Sequence, residues 1–123
     1  MLFRSHSHSD PEIFYLLEGS IEVFQAEGSA AGWQTRSAGD VVSIPGSVRH
    51  ALRNTSSGPM TAITVSKREL YTFFRELAQP FDPNKPPAPP TPEEMEQLLH
   101  IAAKYEYWLA SLEENAAIGI SLR

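Results

Sequence analysis

The sequence predicts a mainly β fold, a double-sheet barrel of the jelly-roll type followed by C-terminal α-helices. Three observations carry this. Short apolar runs punctuated by glycine and proline fill the chain as far as residue 66. From residue 68 the apolar residues recur at the helical period instead. Most of the chain's ten prolines then crowd into residues 79–92. Strands first and helices last divide the chain into a barrel over 1–67 and a helical extension over 68–123. The extension packs on its own barrel or on a partner subunit.

The strands follow in order. Residues 12–18 (EIFYLLE) and 20–26 (SIEVFQA) lie on either side of Gly19 and read as a hairpin. The first of them is apolar on both faces, with Ile13, Tyr15 and Leu17 on one and Phe14 and Leu16 on the other. A sandwich strand buries one face only, so the other needs a helix or a second subunit to cover it. Residues 27–32 are a loop, 33–37 a short strand, and 41–45 the next strand after the turn at Ala38-Gly39-Asp40. Residues 49–54 and 60–66, separated by the SSGP turn, complete roughly six strands, against about eight in a full jelly roll.

The helices are read from spacing and caps. Leu70, Phe73, Phe74 and Leu77 fall at i, i+3, i+4 and i+7, which predicts an amphipathic helix over roughly 68–78. The Pro-rich stretch 79–92 reads as an extended, semi-rigid connector or a disordered linker. Thr91-Pro92-Glu93-Glu94 is a helix start, with a threonine cap and proline at the first position. Met95, Leu98, Leu99, Ala102, Leu109 and Leu112 keep helical spacing and extend that helix to about residue 113. Residues 115–123 are apolar but too short to assign.

Composition narrows the function. A length of 123 residues means one domain of ordinary size. The absence of cysteine excludes a disulfide framework and a thiolate metal site. The net charge of −5 is concentrated at the C-terminus: residues 1–91 carry 8 basic and 9 acidic side chains, residues 92–123 carry 2 and 6. No basic stripe exists to bind nucleic acid. No segment has the apolar length of a membrane span or a signal peptide, so a cytoplasmic protein with no membrane partner is expected.

Three of the four histidines fall in one pattern. His6 and His8 stand two apart, Glu12 follows four residues later, and His50 answers further on. In extended chain His6 and His8 project to the same face. Glu12 shares their parity, although Asp10-Pro11 is a turn signal that can reset it. Three imidazoles and a carboxylate suit a first-row transition metal.

These residues resemble the two sequence motifs of the cupin superfamily. The first motif is H-x-H, three residues, Glu, six residues, Gly, matched by His6, His8, Glu12 and Gly19. The second is Gly, five residues, Pro-x-Gly, two residues, His, three residues, Asn, matched by Gly39, Pro45, His50 and Asn54. Two departures stand out. Position 47 holds Ser47 where the motif has glycine, with Gly46 one place early. Only five residues precede His6, where family members have further strands, which implies an earlier start, strands borrowed from a partner, or a reduced barrel.

The resemblance implies a cupin-type double-stranded β-helix with metal ligands His6, His8, Glu12 and His50. The Phe-Phe-Arg-Glu-Leu helix and the Pro-Glu-Glu-Met helix are similar to those of small bacterial cupins related to quercetin dioxygenases. That likeness implies a dioxygenase using Fe, Mn, Ni or Cu, with Zn as a further possibility, on a small aromatic or enolic molecule. Glu12 would stay a ligand or take a proton from the substrate hydroxyl. The alternatives are a metal-dependent isomerase or lyase, and a non-catalytic module binding a sugar-like ligand. Cupins commonly pair through barrel faces, so the doubly apolar strand also implies a homodimer. Asn54 and Gly39 are expected to shape turns and His100 to lie on the surface. Tyr15, Gln25, Arg36 and Arg49 are candidates for the barrel mouth, each more simply ordinary surface or core.

Overall fold

A computed structural model describes residues 4–80, 82–86 and 88–121. Met1, Leu2 and Phe3, read above for a signal peptide, lie outside the described residues, as do Phe81 and Pro87 of the connector. The strands are β1 (His6–Ser7), β2 (Glu12–Glu18), β3 (Ser20–Gln25), β4 (Gly32–Ser37), β5 (Val41–Ile44), β6 (His50–Arg53), β7 (Thr61–Ser66) and β8 (Trp108–Leu109). The helices are α1 (Arg68–Leu77), α2 (Pro92–Lys104) and α3 (Leu112–Ala117). No described helix is long and apolar enough to cross a membrane.

The mainly β fold is as expected, with two antiparallel sheets facing each other. One has the order β4-β3-β6-β1-β8, the other β5-β2-β7. Alternation decides what lies between them. Leu16 of β2, Ile21 and Val23 of β3, Val42 and Ile44 of β5, and Leu52 of β6 all turn inward and form the barrel core. Full burial of such a side chain contributes about 1.5–3 kcal/mol. Gly19, at φ 76, makes the tight turn between β2 and β3. A side chain there would also collide with the Pro59 carbonyl.

A second core forms where the helices meet. Leu70 and Phe73 of α1 pack with Ile101 and Ala102 of α2 and with Tyr107. The capping box of α2 is present, with the Thr91 side chain accepting from the Glu94 amide and Glu94 accepting from the Thr91 amide. Among the described residues of 79–91 there is no helix or strand.

The C-terminus differs from the expected long helix. Helix α2 stops at Lys104 instead of continuing to about 113. Glu106 turns the chain at φ 59, and Trp108 and Leu109 become a strand. A second capping box, Ser111 with Glu114, then starts α3. The physical reason is a sheet edge. Strand β8 pairs antiparallel with β1, His6 opposite Leu109 and Ser7 opposite Trp108. The unpaired edge of β1 offers hydrogen bonds that helical continuation would forgo. The extension therefore contributes a strand to the barrel sheet itself.

Candidate metal centre

The two motifs are brought together by strands from both sheets. His6 on β1 lies directly opposite His50 on β6, in the five-stranded sheet. Glu12 opens β2 of the other sheet, opposite Ile44 on one side and Ser66 on the other. The chain crosses between sheets at Asp10-Pro11, the turn that the sequence signals. His8, just past β1, is fixed by its backbone: its carbonyl accepts from the Ser47 amide at 2.7 Å. Ser47 occupies the left-handed region at φ 65. The turn expected of glycine is thus made by serine, at some conformational cost. Gly46 has its own reason, since a Cβ there would collide with the Ser9 carbonyl.

One ligand atom from each of His6, His8, Glu12 and His50 lies within 4.8 Å of all the others. The tautomers follow from the backbone. His6 Nδ1 lies 2.7 Å from the Arg4 carbonyl, His8 Nδ1 2.7 Å from that of Asp10, and His50 Nδ1 2.8 Å from that of Val48. A carbonyl only accepts, so each Nδ1 carries the proton. Each Nε2 then presents a lone pair, the arrangement that orients imidazole toward a metal.

His50 Nε2 stands 2.9 Å from Glu12 Oε2. His8 Nε2 stands 3.3 Å from the same oxygen but off the line of a hydrogen bond, and it is buried without a partner. With both Nδ1 atoms protonated, these are acceptors facing an acceptor. Only a proton or a metal ion makes them attract. His8, Glu12 and His50 are 5%, 3% and 1% exposed, so acceptors facing one another there are costly. Three neutral imidazole nitrogens and one carboxylate fit a divalent first-row cation.

The electrostatics follow the same logic. Burial, seconded by the charge of His50, holds the His6 imidazole down at about 4. Burial also opposes charge on His8, but the adjoining Glu12 carboxylate outweighs it and raises that pKa. Burial would raise Glu12, yet His50 and His8 outweigh it and hold the carboxyl at about 2.

The cluster opens on a cavity of about 670 Å³. His6 and Glu12 line one end. Phe14, Leu52, Met60 and Leu70 form apolar walls. Such a volume suits a small organic molecule.

Other candidates fall elsewhere. Tyr15 points to the outer face of its sheet and is half-exposed. Gln25 is buried and donates to the Ser43 carbonyl. Arg36 donates to Gln34, and Arg49 stacks 4.1 Å over the Trp108 ring. None of them lines the cavity. Asn54 shapes its turn, donating to Gly58 and accepting from Ser56, and His100 is exposed. Sequence reasoning missed the cavity residues Lys67, Tyr71 and Phe74, and it missed Tyr107, whose ring packs 5.3 Å from that of His8. The aromatic run YEYW was the available signal for Tyr107, but nothing in it indicates a return to β1.

A two-sheet barrel with a histidine-rich cluster between its sheets defines a class of metal-capable β-barrel proteins. The chain belongs to the cupin family: residues 3–66 match the Cupin_2 model, described as "Cupin domain". No curated protein sequence matches. Among solved structures, the DMSP lyase DddQ from Ruegeria pomeroyi DSS-3 is similar at 26% identity and TM-score 0.47, over 57% of this chain and 34% of that one. YcfD, a ribosomal oxygenase from Escherichia coli, is similar at 18% identity and TM-score 0.45, over 84% and 34%. Its complex with cobalt and 2-oxoglutarate gives 20% identity, TM-score 0.44, and coverage of 84% and 35%. The chain thus spans about a third of the length of each of these structures.

Proposed function

We propose that this cupin is a metal-dependent dioxygenase acting on a small aromatic or enolic molecule, with His6, His8, Glu12 and His50 as ligands. One observation carries the reading: three imidazoles, each anchored through Nδ1, gather with one buried carboxylate at the end of an apolar cavity, and two of them turn Nε2 onto it. Four protein donors leave positions open on a first-row metal, as in non-haem oxygenases. When bound, a redox-active Fe, Mn, Ni or Cu would supply activation of dioxygen and polarisation of the substrate oxygen.

The chain's own residues have defined parts in this proposal. The Nδ1 bonds to Arg4, Asp10 and Val48 hold the imidazoles in place. Phe14, Leu52 and Met60 exclude water and seat the apolar body of the substrate. Glu12 lines the cavity beside His6, which puts its carboxylate within reach of a hydroxyl proton on a molecule seated there. The test is oxygen uptake by the iron-, manganese-, nickel- and copper-loaded protein against a panel of catechols and enols. Substrate-dependent uptake that vanishes in His50→Ala supports the proposal. A zinc-loaded protein that turns over an enol without oxygen would replace it with isomerase or lyase chemistry.

We further propose a homodimer. The outer face of the three-stranded sheet presents Ile13, Tyr15, Leu17, Val41, Ile63 and Val65, each 43–60% exposed. Cross-strand pairing makes them one patch, with Ile13 beside Val65 and Tyr15 between Ile63 and Val41. A contiguous apolar patch of this kind marks an interaction surface.

A further inference from the structure

The cavity has a second chemical end. Beyond its apolar walls, the mouth is formed by the exposed rings of Tyr71 and Phe74 on α1 and by Lys67. Among the lining residues, charge resides on Lys67 and on the cluster. Lys67 follows directly on Ser66, the residue of β7 that pairs with Glu12. Among the described residues no carboxylate forms an ion pair with Lys67. Lys67 is also the N-cap of α1 and makes no side-chain cap bond. The N-terminus of α1 is met by Asp10, which accepts from the Leu70 amide at 3.0 Å.

We propose that Lys67 is a specificity residue for a carboxylate, so that the ligand of this cavity is an apolar, aromatic-bodied acid. Its apolar body lies against Phe14, Leu52 and Met60 and its ring meets Tyr71 and Phe74. Its carboxylate pairs with Lys67 at the mouth, and its other polar end reaches His6 and Glu12. A single unpaired cation at the rim of an apolar cavity rewards an anion of this kind over its neutral isostere. The inference rests on the metal-site reading for the inner end of the ligand, while the Lys67 end stands on the cavity alone.

The test uses cinnamate and its neutral counterpart cinnamamide as probes, titrated by ligand-observed NMR into the full chain, both zinc-loaded and metal-free. Expected are tighter binding of cinnamate than cinnamamide in both forms, and a weakening of cinnamate by roughly threefold to tenfold in Lys67→Met. Cinnamamide should be unaffected, and Lys67→Arg should restore cinnamate. Equal binding of the two probes, or cinnamate binding untouched by Lys67→Met, would overturn the inference. So would cinnamate binding that requires zinc and ignores Lys67, because the carboxylate would then sit on the metal. Failure to take up zinc would count against the metal reading alone, since the metal-free arm still tests Lys67.

Discussion

His50 Nε2 and Glu12 Oε2 face each other at 2.9 Å across the gap between the two sheets, while His50 Nδ1 is committed to the Val48 carbonyl. Two acceptors so placed require a cation between them. Such a pair costs stability without a cation, and the proposed metal would reverse that sign. The same geometry yields opposite signs for one substitution.

In Glu12→Gln the new amide can donate to an imidazole Nε2. The metal-free variant should be more stable than metal-free wild type at pH 8, by about 1 kcal/mol, the net value of one hydrogen bond. Its metal affinity should fall at the same time. Thermal melts with and without chelator check both. A metal-free variant less stable than wild type would show that no acceptor conflict exists.

Asn115 ties the extension to the segment that leads into β1. It is fully buried, accepts from the Ser5 amide at 2.9 Å and donates to the Ala110 and Ser111 carbonyls. Asn115→Ala leaves the Ser5 amide buried and unpaired, at a cost of about 1–3 kcal/mol. Metal affinity should drop as well, because Ser5 leads directly into His6. Urea unfolding and metal titration measure the two effects; lost stability with unchanged affinity would separate β8 and α3 from the site.

Acid should weaken the metal-free fold through His6. Its imidazole titrates at 6.5 when unfolded and at about 4 when folded. Between those values the unfolded chain binds the extra proton, so stability falls as pH falls from 6.5 toward 4. The raised pKa of His8 acts above 6.5, and the lowered one of Glu12 acts below 4.5, which leaves the interval between to His6. Urea midpoints of chelator-treated protein should decline across that interval, and His6→Asn should flatten the decline. An equal slope in the variant would refute the assignment.

The outer sheet face should govern assembly. Sedimentation at micromolar concentration should show a dimer for wild type and a monomer for Ile63→Glu/Val65→Glu. A wild-type monomer would remove the proposed interface.

Much of the site was legible because each of its two motifs is local. Histidine spacing and strand alternation bring His6 and His8 together, the second cupin motif adds His50, and the apolar parity of residues 13–17 separates the Leu16 core face from the Tyr15 outer face. The C-terminus was not legible for the opposite reason. Leu109 and Leu112 keep helical spacing with Ala102, yet the edge of β1 recruits Trp108 and Leu109 as a strand. That competition depends on a partner about a hundred residues away. The Ser111-Leu-Glu-Glu114 cap was a local sign of a new helix that the longer period obscured. Lys67 and Phe74 were likewise hidden, since a helix N-cap and an amphipathic stripe do not reveal which cavity they border.

The most direct measurement is elemental analysis of protein purified without chelator or added metal, beside the His6→Ala/His8→Ala double variant. The expected result is near-stoichiometric Fe, Mn, Ni or Cu in the wild type and none in the variant. A folded wild type that carries no metal and takes up none on titration would contradict the metal centre at its root.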